Sequence, residues 1–448
     1  MARENWGSRF GFIMATAGFS IGLGNIWRFP YLTGMNGGGA FLLVYLALAL
    51  FIGIPLFTAE VSLGRKTQLT PIAGMERLTG SRRSPWNLIG WLGITAAFLI
   101  ISYYFVIIGW VVAYIYKTGA GHFRGLDSAA IQSTYDGLVA DPVLVLGCTA
   151  LVSVIVGLTV SRGLRQGVEL ANKILMPLLF VSLLLLAIGS LTLPGAMEGL
   201  AWYLAPDFSK LTLASLLAAL GQVFFSIGIG LAGAFVYGSY LKPRETDVPG
   251  GTAMVVAFDT MAAFTAGLVI FPAVFAFGLD PNSGPGLLFV TLTAVFAQAP
   301  AGNVVGAIFF FLVFVAGITS AIGLVEALVA SAIDSLRVKR KPALWTILAL
   351  SFVVGIPSAL SFGPWSQVRW LGRDPFSFVD FISGSILLPV GGLLIAGYTA
   401  WVWGFKAFQH ETNEGSGGIK VFSAWGPFIR FVIPIAVAVV LLRGLGAF

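Results

Sequence analysis

The chain is poor in the residues on which disulfide-framed proteins and most hydrolytic enzymes are built. It has one cysteine, Cys148, two histidines, and only 10% charged residues. A single cysteine excludes an intrachain disulfide and a thiolate metal cluster. His122 and His410 fall in segments that read as loops, and no HExxH pattern occurs. Asp259, Asp334 and Asp380 fall at different depths of their apolar stretches. A buried Ser–His pair, a zinc motif and paired aspartates are therefore all missing, and an intramembrane enzyme is excluded with them. A channel would show a repeated filter sequence, and none is seen.

What is abundant is apolar surface. Hydrophobic residues make up 57% of 448 positions. A soluble chain of this length could not hide that much in its cores, so the long apolar runs read as membrane spans. The expected spans are 9–32, 39–63, 87–116, 142–161, 170–193, 212–238, 251–279, 303–333, 343–361, 378–405 and 425–446. They are called the first to the eleventh span below. The segment 284–300 is apolar but short and bounded by Gly284 and Pro300, which suits a partly re-entrant external loop. The first span has no small-residue cleavage site and reads as a retained helix.

The net charge of +7 does not point to nucleic acid, because the basic residues lie in short clusters between spans. One alternate set of loops holds Arg3, Arg9, Arg65, Lys66, Arg77, Arg82, Arg83, Arg162, Arg165, Lys173, Lys242, Arg244, Arg337, Lys339, Arg340, Lys341, Lys406 and Lys420. The other holds chiefly Lys117, Arg124, Lys210, Arg369 and Arg373. The positive-inside rule then places the N-terminus in the cytoplasm, and an odd span count places the C-terminus outside the plasma or inner membrane.

Two spans carry matching interruptions. Ser20-Ile21-Gly22-Leu23-Gly24 sits within the first, and Ser226-Ile227-Gly228-Ile229-Gly230 within the sixth. Each glycine costs a helix interior about 1 kcal/mol relative to alanine, so both sites unwind cheaply. Five spans separate the two halves, so the second half enters from the opposite face. The expected fold is all-α and integral to the membrane: eleven helices in a five-plus-five inverted repeat with unwound helices 1 and 6. The halves would be 1–193 and 194–410, with 411–448 as a loop and the eleventh helix. Paired breaks of this kind point to a site near the bilayer midplane, where freed N–H groups favour an anion and freed carbonyls a cation. Close helix packing through small residues is the simpler reading of one such break alone.

The stretch Gly22-Leu23-Gly24-Asn25-Ile26-Trp27-Arg28-Phe29-Pro30-Tyr31, followed by Asn36-Gly37-Gly38-Gly39-Ala40-Phe41, closely resembles the first-helix signature of the neurotransmitter:sodium symporter family. The likeness continues through Gly53-Ile54-Pro55-Leu56, Tyr103-Tyr104, Gly221-Gln222-Val223-Phe224-Phe225-Ser226 and Ala316-Gly317-Ile318-Thr319-Ser320. Eleven helices resemble a bacterial amino-acid transporter subgroup.

The resemblance implies two sodium sites. The first would use the Ser20 carbonyl, Asn25, Ser226, Asp259 and the substrate's own carboxylate. The second would use backbone oxygens of Gly18, Ile21 and Ala316 with the hydroxyls of Thr319 and Ser320. It implies a substrate pocket of Ser20, Gly22, Gly24, Ile100, Tyr104, Ile107, Phe225, Ser226, Gly228, Leu231, Ala321 and Leu324. Monoamine carriers that look similar have an aspartate where this chain has Gly22, so the substrate should bring its own carboxylate, met by Tyr104. No charge lines the pocket, which favours a hydrophobic L-amino acid. Gly228 and Ala321 leave room for a large aliphatic or aromatic side chain, and Ala232 trims some of it. Arg28 and Asp380 would gate the outside over Phe225, and Arg3 and Trp6 would latch against Asp334 inside. Glu60 would accept bonds from the unwound backbone of the sixth span.

Chloride-dependent relatives look similar around Tyr45, Gln222 and Ser226, but their asparagine is here Asp259 and their second serine Ala263. The expectation is chloride-independent, sodium-coupled import. An unpaired Asp259 would tend to take a proton for the return step, giving proton antiport. A non-transporting amino-acid sensor of the same fold, or an ion channel, is the alternative.

Overall fold

The computed structural model describes residues 4–243, 246–282, 284, 286–415 and 417–444. Among these the chain is helical throughout, with no strand beyond two isolated bridges, Gly38 with Pro206 and Trp370 with Arg373. Among the described residues nine helices are long and apolar enough to cross a membrane, and a bent pair, Arg9–Ser20 with Gly24–Met35, makes a tenth.

Local chemistry sets the ends. Asp141 caps Pro142–Ser161 by accepting from the Val143 and Leu144 amides, with proline at the first helical position. Asp247 and Asp374 cap Val248–Ala276 and the helix opening at Pro375 in the same way. Thr212 and Ser215 form a reciprocal capping box at the start of Leu213–Ile227. The apolar segment 284–300, expected as a partly re-entrant loop, contains a short helix, Leu287–Gln298. Among the helices outside the expected spans, Pro71–Thr79, Ser128–Ala140, Ala196–Leu204 and Phe405–Asn413 occupy connecting segments.

The spans sort into centre and rim. Pro85–Gly119 and Gly302–Leu336 are mostly buried and pack on one another, whereas much less of Leu164–Leu191 and Trp425–Leu442 is buried. The exposed side of Leu164–Leu191 carries Leu178, Val181, Leu184, Leu185 and Ile188, an apolar face suited to lipid tails. The two central spans bring Tyr104 and Ser320 to the break in the first span.

Candidate functional site

The first span bends by 52° at its break. The helix Arg9–Ser20 ends where Ile21 turns extended, and the chain resumes in a wide turn at Gly24–Arg28. Other groups satisfy the freed backbone: Gly22 N–H donates to Asn25 Oδ1 at 2.9 Å and Leu23 N–H to Tyr104 Oη at 3.0 Å. The break in the sixth region lies between helices Leu213–Ile227 and Gly233–Ser239. It needs left-handed backbone at Gly228 (φ 78°), Gly230 (φ 80°) and Ala232 (φ 62°). Glycine adopts this freely and alanine does not. Gly230 N–H donates to Glu60 Oε2 at 3.0 Å, the bond expected of Glu60. The Ser20 hydroxyl donates to the Ile227 carbonyl at 3.0 Å, tying the two breaks together.

Between the breaks lies a cavity of about 30 Å³. Its lining includes Ser20, Gly22, Gly24, Ile100, Tyr104, Phe225, Gly228, Leu231 and Leu324, nine of the twelve residues expected for the pocket. Ile107 instead lines a vestibule of about 570 Å³ above it, which shares Tyr104 and Phe225 with the cavity. Ala321 is fully buried outside the lining, and the Ser226 hydroxyl turns toward Asp259. Phe19 lines the cavity and was not legible in the sequence. A Cβ on Gly228 would lie 2.6 Å from the Phe19 ring, and one on Gly233 2.3 Å from it. Phe19 thus takes the space that a side chain at 228 would occupy, while Gly228 itself lines the cavity beside it.

Beside the cavity, Asp259 is fully buried among polar groups. Asn25 Nδ2 donates to its Oδ1 at 2.7 Å and to its carbonyl at 2.9 Å. The Ser226 hydroxyl lies 3.1 and 2.9 Å from its two oxygens, and Tyr45 OH donates to Oδ2 at 3.2 Å. Asn25, Ser226 and Asp259, expected at the first cation site, therefore share one hydrogen-bonded cluster, into which Asn25 turns its amide nitrogen while its Oδ1 accepts from Gly22. Gln222 points elsewhere: it donates to the Gly24 carbonyl at 2.7 Å and accepts from Arg28 at 3.0 Å.

Of the second set, the Ser320 hydroxyl sits 3.2 Å from Gly18 O, 3.0 Å from Phe19 O and 3.0 Å from Ile21 O. Thr319 Oγ1 lies 3.0 Å from Ala316 O and 3.1 Å from Val315 O. Ser320 thus joins Gly18 and Ile21 of the first span to the eighth, while Thr319 and Ala316 are bonded to one another within the eighth span. Thr319 also shows the back-bonding common for a hydroxyl in a helix.

The two ends differ. At one end Arg28 and Asp380 both line the vestibule, yet no ion pair within 4 Å joins them. Asp380 accepts from Tyr103 OH at 2.9 Å, and the Arg28 guanidinium lies 4.8 Å over the Phe225 ring. At the other end Trp6 is buried, its indole N–H donating to Tyr237 O at 3.0 Å. Asp334 accepts from Thr70 N–H at 2.9 Å, and Arg3 lies outside the described residues. Nearby, Tyr240 OH donates to Glu326 at 2.8 Å, and Glu326 pairs with Arg340.

Comparison with known proteins shows the family. A profile described as the sodium:neurotransmitter symporter family matches residues 3–123 and 131–448. An uncharacterized sodium-dependent transporter of Bacillus subtilis (strain 168) is 40% identical over 442 residues, covering 98% of this chain and 97% of that one. A sodium- and chloride-dependent creatine transporter of Oryctolagus cuniculus is 28% identical, over 91% of this chain and 72% of its own. The crystal structure of MhsT in complex with L-phenylalanine superposes with a TM-score of 0.90 at 41% identity, covering 99% of this chain and all of that one. The chain is a multi-pass, sodium-dependent membrane transporter, not an enzyme, and it belongs to the sodium:neurotransmitter symporter family.

Proposed function

We propose that this protein imports a hydrophobic L-amino acid, large aliphatic or aromatic, by coupling it to two sodium ions through alternating access. The observation that carries the reading is the tie between the two breaks, Ser20 Oγ to Ile227 O, beside the Asn25–Ser226–Asp259 cluster. A substrate carboxylate placed there would complete the first sodium site. Each ligand then raises the other's affinity by the same factor. The second sodium would be held by Gly18, Ile21, Ala316, Thr319 and Ser320. Tyr104 would meet the substrate carboxylate. Ile100, Ile107, Phe225, Leu231, Ala321 and Leu324 would face its side chain. The L-phenylalanine bound by MhsT, at 41% identity, supports the preference for a large apolar side chain. Arg28 and Asp380 form the outer gate in this reading, and Trp6, Arg3 and Asp334 the inner one.

Counting the broken sixth span as one crossing gives eleven helices: inverted halves over 1–193 and 194–410, then 411–448. The N-terminus lies in the cytoplasm and the C-terminus outside. The fixed charge of Asp259 takes the place that bound chloride holds in chloride-dependent relatives, and the empty carrier returns with a proton on it. The test is a binding screen of the twenty amino acids, with sodium and with choline in its place. The reading requires sodium-dependent binding of leucine, phenylalanine or a similar residue. Sodium-independent binding, or a preference for charged side chains, would overturn it.

A further inference from the structure

The fifth span meets the first through a polar face set on glycines. Glu169, Asn172 and Met176 follow one another at helical spacing on Leu164–Leu191. Opposite them are Gly7, Gly11 and Gly18. A Cβ on Gly11 would lie 1.9 Å from Glu169 Oε1, and one on Gly18 would lie 1.8 Å from Asn172 Oδ1 and 3.3 Å from Met176 Sδ. Any larger residue would push these oxygens away from the backbone of the first span.

Asn172 is the informative member. It is fully buried, and its amide N–H donates to Val168 O at 2.8 Å, which fixes the other end of the amide toward Gly18. Its Oδ1 has no hydrogen-bond partner. The other such buried atoms among the described residues are hydroxyl oxygens and indole nitrogens, so this is the one amide or carboxylate acceptor left unsatisfied. Buried acceptors without partners are rare and call for a reason. Gly18 O, beside it, accepts from Ser320 and belongs to the second oxygen cluster.

One turn toward the basic loops, Glu169 is buried and holds the N-terminal segment. It accepts from Gly7 N–H at 2.8 Å and lies 3.4 Å from Ser8 Oγ and 2.6 Å from Lys173 Nζ. Glu4 and Asn5 are tied to the same span, to Leu164 N–H and the Arg165 side chain, each at 2.8 Å. Were that segment to lift, Glu169 would lose the Gly7 and Ser8 donors and keep Lys173, freeing acceptor capacity for a cation.

We propose that Asn172 Oδ1 is the first station, and the Glu169 carboxylate the second, on the path by which sodium leaves the Gly18–Ser320 cluster for the cytoplasm. A hard cation needs oxygen ligands along its route, and these two supply them where the glycines let the spans touch. The proposal deepens the functional reading above and rests on it.

The test compares wild type, Asn172→Leu, which removes the oxygen at similar volume, and Asn172→Asp, which keeps one. Purified full-length protein in proteoliposomes is assayed for equilibrium binding of labelled amino acid against external sodium, and for efflux against internal sodium. External binding should stay within about twofold in both variants. Asn172→Leu should raise the half-saturating internal sodium and slow turnover by roughly tenfold, the size expected on losing one charge-assisted contact, and Asn172→Asp should restore both. Wild-type efflux kinetics in Asn172→Leu would overturn the proposal. So would parallel loss of binding and turnover that Asn172→Asp fails to restore, which marks a packing role. If wild type itself shows no sodium-dependent binding, the functional reading fails instead.

Discussion

Gly22 lies so close to Tyr104 that a Cβ there would start 2.5 Å from the tyrosine oxygen, and 2.5 Å from the Ser320 hydroxyl as well. The absence of a side chain at 22 is thus a steric condition as well as an electrostatic one. Gly22→Asp should abolish amino-acid binding. Gly22→Ala separates the causes, since it carries only the steric part. The further loss from alanine to aspartate should reflect two carboxylates about 4 Å apart, around 4 kcal/mol at an effective dielectric near 20. Binding measured by scintillation proximity decides the matter. If aspartate binds as well as alanine, the substrate carboxylate does not sit beside residue 22.

Arg28 and Asp380 face one another across an open vestibule, each held by a neighbour, Gln222 and Tyr103. Closure should bring them together. Arg28→Ala or Asp380→Ala leaves one charge unpaired in the closed state, a cost of roughly 3–5 kcal/mol for a fully buried pair. Uptake should fall far more than equilibrium binding in both variants. Wild-type uptake in both would show that the pair is not a gate.

Asp259 makes the chloride prediction concrete. Its carboxylate already accepts from Asn25, Ser226 and Tyr45. Replacing chloride by gluconate at fixed sodium should leave wild-type uptake intact. Asp259→Asn should lose uptake, or keep it only with chloride present. Collapse of wild-type uptake in gluconate would contradict the fixed-charge reading.

The Glu326–Arg340 pair offers a stability test. Glu326 is fully buried, and the Arg340 side chain is only 19% exposed. Arg340→Met strands a buried carboxylate and should cost about 3–5 kcal/mol. The double variant Glu326→Leu with Arg340→Met removes both charges and should be more stable than Arg340→Met alone. Thermal midpoints in detergent give the order. A double variant less stable than the single would mean that Glu326 stabilises the fold without Arg340, through its bond from Tyr240.

The sequence made some layers of this structure legible and hid others. Span positions follow from runs of apolar residues, and the breaks from paired glycines, so both were readable. The Asp259 cluster was reachable because Asn25 and Ser226 lie in stretches that resemble the family, and Asp259 stands where chloride-dependent relatives carry an asparagine. Phe19 was not, because its role depends on glycines of another span, Gly228 and Gly233, receiving its ring. Asn172 stayed hidden for the same reason: its meaning comes from Gly18 across a helix contact. The helices Ser128–Ala140 and Phe405–Asn413 were missed because they are too short or too polar to stand out by hydropathy.

The most direct measurement is accumulation of labelled leucine or phenylalanine in proteoliposomes carrying the purified protein, under an inward sodium gradient. The internal concentration should rise above the external one, and it should fall back when an ionophore collapses the gradient or choline replaces sodium. Uptake that stops at equal concentrations and ignores sodium would contradict coupled transport, and sodium-dependent binding without any uptake would make the protein a sensor.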